Sequence, residues 1–88
     1  MKTNQKPVHE IRLGAVRAAI WRHQTGQHIR HNVTFSRLYK EDAKDGAKAR
    51  WKSSESFGRD DLPKLVLVAQ KAYSWIITNR LNRLAAGD

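Results

Sequence analysis

The 88-residue sequence predicts an α+β domain: a curved four-stranded antiparallel sheet, in the order β-β-β-β-α, backed by one long C-terminal helix. Three observations carry this. Apolar and polar residues alternate through residues 9–40, interrupted by Gly14 and Gly26. A polar loop around Asp45-Gly46 then separates these residues from a shorter alternating stretch, 50–58. Finally, nothing breaks a helical pattern between Leu62 and about Leu84.

The elements follow in order. Residues 1–8 read as a flexible basic tail ending near Pro7, ahead of a single domain at 9–86. Residues 9–13 form a first strand, with Ile11 and Leu13 on one side and Glu10 and Arg12 on the other. Gly14 permits a bend or bulge. The second strand, 16–23, puts Val16, Ala18 and Ile20 on one face and Arg17, Ala19, Trp21 and His23 on the other. A turn over Gln24-Thr25-Gly26-Gln27 leads to the third strand, 28–40.

The expected core face is Val16, Ala18, Ile20, Val33 and Phe35. The opposite face is Arg17, Trp21, His23, Arg30, Asn32, Thr34 and Ser36. Arg37 and Tyr39 follow Phe35 in phase, so they reach the opposite face only through a twist or a bulge. Residues 41–48 read as a mobile loop, and 50–58 as the fourth strand, with Phe57 closing the core.

Asp60 or Asp61 caps the helix, and Pro63 sits in its first turn. Leu62, Leu65, Ala69, Ala72 and Ile76 make one stripe, widened by Val66, Tyr73, Ile77 and Leu84 on one flank and by Val68 and Trp75 on the other. That stripe is broader than one small sheet needs. Part of it is expected to meet a second copy, through Val68, Trp75 and Ile76. Arg80 and Arg83 suit the helix C-terminal end.

Composition bounds the function. Lys plus Arg number 17 against 8 acidic residues, a formal net charge of +9. Such a charge favours a polyanion: nucleic acid first, an anionic membrane second. There is no cysteine, which excludes disulfides and thiolate zinc sites. The polar start and the absence of a long apolar run lead to the expectation of a cytoplasmic, nucleoid-associated protein without a membrane partner. No Walker or dinucleotide loop, partnered nucleophile or HExxH is present, so neither an enzyme nor a cofactor or small-molecule substrate is expected. His23, His28 and His31 invite a metal reading, but on a strand His28 and His31 point to opposite faces.

A face that mixes cations with aromatic rings suits single strands, because cations track phosphates while rings stack on bases. The candidate platforms are Trp21, Tyr39 and Trp51. The candidate phosphate contacts are Arg12, Arg17, Arg22, Arg30, Arg37, Arg50 and Lys52, with Thr34 and Ser36 as hydroxyl donors. Arg22 is in phase with the core and qualifies only at the strand end. For each aromatic the competing role is packing, in the core or between copies.

Gly14-Ala15-Val16-Arg17, the run from His31 to Tyr39, and Ser56-Phe57-Gly58 followed by Leu62 stand out as a set. Together they resemble the single-stranded-DNA-binding domain of the positive cofactor four family, whose structural relatives include the plant Whirly proteins. The resemblance spans residues 11–77. It implies a homodimer that binds single strands or melted duplex in transcription, replication or repair, with Arg17 as a groove cation and Tyr39 as a stacking ring. The chain departs from the pattern at Ala15, where a lysine is usual, and in its loop 41–49. It also lacks the Ser- and acid-rich arm of the eukaryotic coactivator, which turns the expectation towards a bacterial, phage or plasmid relative.

The leading expectation is a homodimer that binds single-stranded DNA or RNA largely without regard to sequence. Two others compete. One is a duplex reader that lays its sheet in the major groove, with Arg17 and Arg30 on guanines. The other is a protein-interaction module for an acidic partner.

Overall fold

The computed structural model describes residues 6–42 and 49–85, with 81–85 described for the backbone alone. The order is β1 (His9–Leu13), β2 (Val16–Thr25), β3 (His28–Glu41), β4 (Arg50–Ser54), a 3-10 turn (Arg59–Asp61) and α1 (Leu62–Ala85). The strands form one antiparallel sheet in sequence order, followed by the single helix, as the alternation predicts.

Both early connections are tight. Leu13 pairs with Val16, and Thr25 with His28, so two residues make each turn. Gly14 and Gly26 each adopt a φ of +62°, which a residue with a Cβ resists. The second turn is thus shorter than expected, and β2 continues to Thr25. Gly14 serves a turn, not a bulge. The tail is also tied down earlier than expected, since the Val8 N–H donates to Ile20 O at 2.8 Å. The first five residues lie outside the described residues.

The sheet is staggered. β1 pairs only with Val16–Ile20 of β2, so the rest of the β2–β3 hairpin runs past it as a two-stranded ribbon. At the other end β3 outruns β2, and its last residues pair with β4 alone. β3 extends through Glu41, and most of the loop expected to be mobile lies outside the described residues.

β4 is shorter than expected. The Ser56 N–H donates to Ser54 Oγ at 3.0 Å, and this local bond competes with the ladder and turns the chain away. Phe57 still packs against the core. Asp61 Oδ2 accepts the Gly58 N–H at 3.0 Å, so the acidic side chain braces the 3-10 turn ahead of α1 and not the first amides of the helix as expected; Pro63 falls in the first helical turn.

The helix covers the expected face. Val16, Ala18 and Ile20 are buried beneath Val68 and Ala72, with Ile11, Val33, Phe35, Leu65, Trp75 and Ile76 packed around them. Each large apolar side chain buried here contributes roughly 1.5–3 kcal/mol. Val68 is 0% exposed, so the expectation that it meets a second copy is wrong: its own sheet occupies it. Trp75 and Ile76 are half-buried on the same core. The exposed apolar side chains of α1 are instead Leu62, Val66, Leu67 and Tyr73. Among the described residues no helix is long and apolar enough to cross a membrane.

Candidate nucleic-acid interface

In an antiparallel sheet, directly paired residues share a face and neighbours along a strand alternate. The registers therefore assign every candidate. Open to the side away from α1 are Arg17 opposite both Arg12 and Ser36, Thr34 opposite Ala19, Trp21 opposite Asn32, and His23 opposite Arg30. Further along β3, Lys40 and Trp51 pair on this same side. The open face thus brings together Arg12, Arg17, Trp21, Arg30, Thr34, Ser36 and Trp51.

The remaining candidates lie on the helix side. Arg22 pairs with His31, Tyr39 with Lys52, and Arg50 with Glu41, while Arg37 sits between Val16 and Ser54. Pairing through β3 is continuous, with no bulge to bring Arg37 or Tyr39 round. Of the two positions taken from the positive cofactor four resemblance, Arg17 is on the open face and Tyr39 is not.

Arg37 has a structural task. Its Nε donates to Ser56 O at 2.9 Å and lies 3.6 Å from Asp61 Oδ2, with the guanidinium carbon 5.6 Å from the Tyr39 ring centre. It ties the end of β3 to the approach to α1. Lys52 is engaged by Glu41 at 2.9 Å, and this hydrogen bond and charge hold its ammonium pKa above the ordinary value.

On the open face, Trp21 Nε1 donates to Thr34 Oγ1 at 2.9 Å. Ala19, between Arg17 and Trp21 on β2, is 2% exposed although it faces away from the helix. The indole is therefore pinned to the sheet. Trp51 differs: it is 67% exposed. Eight residues of β3 separate the positions opposite the two rings, about 27 Å at ~3.4 Å per residue. They are two platforms, not one stack.

The cations are arranged against their own repulsion. Arg12 and Arg17 are direct cross-strand partners, a like-charge pairing that costs stability unless it is relieved. Glu10, the one carboxylate at the paired positions of this face, lies 3.6 Å from Arg17 Nη1. Arg17 Nε is buried and has no acceptor. Arg12 Nε reaches back to Gly14 O at 3.2 Å.

Sequence reasoning omitted Lys40 and Glu10 from the site. Both are in phase with the open face, and their alternation with Tyr39 and Ile11 was the available signal. No protein-family model, curated protein or solved structure matches the chain.

Proposed function

We propose that this protein is a single-stranded nucleic-acid-binding protein, largely indifferent to sequence, that works as a homodimer. The observation carrying this reading is the face of the sheet opposite α1. It sets Arg12, Arg17, Arg30 and Lys40 beside Trp21 and Trp51, and no described element of the chain packs over it. Cations and ring faces recognise phosphate and any base alike, so they favour strand binding without base-edge readout.

The dimer rests on a second observation. α1 lies mainly over β2 and β1 and less over β3. Leu62, Val66 and Tyr73 share one flank of the helix and are 48%, 56% and 67% exposed. A small domain gains buried apolar area by pairing such a stripe with a second copy.

Fluorescence-anisotropy titration with matched single-stranded DNA, single-stranded RNA and duplex, at two salt concentrations, tests the reading. Submicromolar binding to oligo-dT that weakens steeply with salt is expected. Duplex binding as tight as single-strand binding would overturn it.

A further inference from the structure

The open face holds its two rings far apart, with a pair of cations midway. Trp21 stands opposite Asn32 and Trp51 opposite Lys40, eight residues apart along β3, about 27 Å at ~3.4 Å per residue. Arg17 stands opposite Ser36, four residues from either position, and Arg12 is its partner on β1. The order along the sheet is ring, cation pair, ring.

The line between the rings is oblique. Trp21 belongs to β2 and Trp51 to β4, on opposite sides of β3. A chain joining them crosses β3 near Thr34 and Ser36, whose hydroxyls can donate to phosphate. Each ring also has a cation at hand. Lys40 pairs with Trp51, and Arg30 is the next outward residue of β3 beyond Asn32.

The middle of this line suits phosphates and not bases. Arg12 and Arg17 face each other as like charges, relieved only by Glu10 at 3.6 Å from Arg17 Nη1, so an anion lowers the energy there. Among the paired positions of this face between Trp21 and Trp51 there is no third aromatic. A base over the middle therefore has no ring to stack on.

The separation sets the length of the ligand. Stacked nucleotides follow one another at about 3.4 Å, so roughly nine of them reach from ring to ring, and fewer when the backbone is extended. One OB fold covers a comparable stretch, roughly 4–16 nucleotides. A trinucleotide has only two steps and would need about 14 Å for each, about four times the stacked spacing and more than its backbone can span.

We propose that each protomer binds one continuous single strand of up to about nine nucleotides, laid obliquely over β3. One base stacks on Trp21 and another on Trp51, and phosphates between them meet Arg17 and Arg12. This rests on the single-strand reading above and adds to it a length, a path and a stoichiometry.

The test is a two-dimensional ¹⁵N–¹H NMR titration of the full chain with dT9 and dT3, following the three indole N–H signals, together with anisotropy titration of Trp51→Ala. With dT9 the Trp21 and Trp51 signals should move along one curve that saturates at one strand per protomer, while Trp75, on the helix side, stays still. Trp51 is 67% exposed, so Trp51→Ala should keep the fold, which circular dichroism checks. The variant should weaken dT9 binding about tenfold more than it weakens dT3 binding, since only dT9 reaches both rings. The comparison at equal length cancels the larger number of positions a longer strand offers. Three results would overturn the proposal: saturation by dT9 at any other ratio, a Trp51 signal that dT9 leaves in place, or equal losses of dT9 and dT3 in Trp51→Ala. Any of these with tight dT9 binding removes the bridge alone, whereas no binding of dT9 removes the single-strand reading with it.

Discussion

Trp21 Nε1 donates a 2.9 Å hydrogen bond to Thr34 Oγ1 across the open face of the sheet. Trp21 pairs with Asn32, so the bond runs diagonally, from β2 to the next outward position on β3. It fixes the indole before any ligand arrives, which lowers the ordering cost of stacking. Trp21→Ala should therefore lose roughly 1–3 kcal/mol of oligo-dT binding. Thr34→Val keeps the shape and breaks the bond, so its loss should be smaller and of the same sign. Anisotropy titration measures both, with far-UV circular dichroism as the check on folding.

The face assignment predicts opposite behaviour from two arginines of one strand. Arg30 lies on the open face and Arg37 on the helix side. Arg30→Gln should remove a phosphate contact and lower the magnitude of the log K against log salt slope by about 0.7, the single-strand value per contact. Arg37→Gln should leave that slope unchanged. Its cost falls on stability, because it loses the bond to Ser56 O and the ion pair with Asp61. A charged hydrogen bond contributes about 1.5–3 kcal/mol, and the lower end applies here because the side chain is 30% exposed and partly screened. Urea denaturation of the variant measures the loss.

Glu10 predicts a gain. It is the one carboxylate at the paired positions of the open face, 3.6 Å from Arg17 Nη1. A phosphate arriving at Arg17 meets its repulsion and must share that cation. Glu10→Gln should tighten oligo-dT binding several-fold at low salt, with the advantage shrinking as salt screens the charge. The gain should vanish in an Arg17→Gln background, which a double-mutant cycle reads directly.

These contrasts also show what alternation carries. Val16, Ala18, Ile20, Val33 and Phe35 were legible as one face because a period of two admits only two assignments, and helix burial selects the apolar one. The same rule placed Arg37 and Tyr39 opposite the presumed groove, and the continuous register keeps them there. The end of β4 was not legible. Ser53-Ser54-Glu55-Ser56 has no apolar contrast, and the chain turns on a single Ser54 hydroxyl contact. Nor was the helix orientation. Hydropathy weighs Leu62 and Val68 alike, whereas the Arg37–Asp61 tie and the small Ala72 set which side approaches the sheet.

The helix orientation separates packing from assembly. Val68→Ala removes volume from a fully buried position and should cost about 1–3 kcal/mol, read by urea denaturation. Val66→Glu and Tyr73→Glu change side chains that touch water in one copy and should leave the domain folded. If that flank joins two copies, each places a charge in an apolar contact and should shift the protein to monomer in sedimentation velocity. The thermal midpoint of the parent should rise with protein concentration, since assembly stabilises the folded chain by mass action. In Tyr73→Glu that dependence should vanish while the circular dichroism spectrum stays the same. A concentration-independent midpoint in the parent, with unchanged sedimentation of both variants, would mean that Leu62, Val66 and Tyr73 remain in water and the sheet face acts alone.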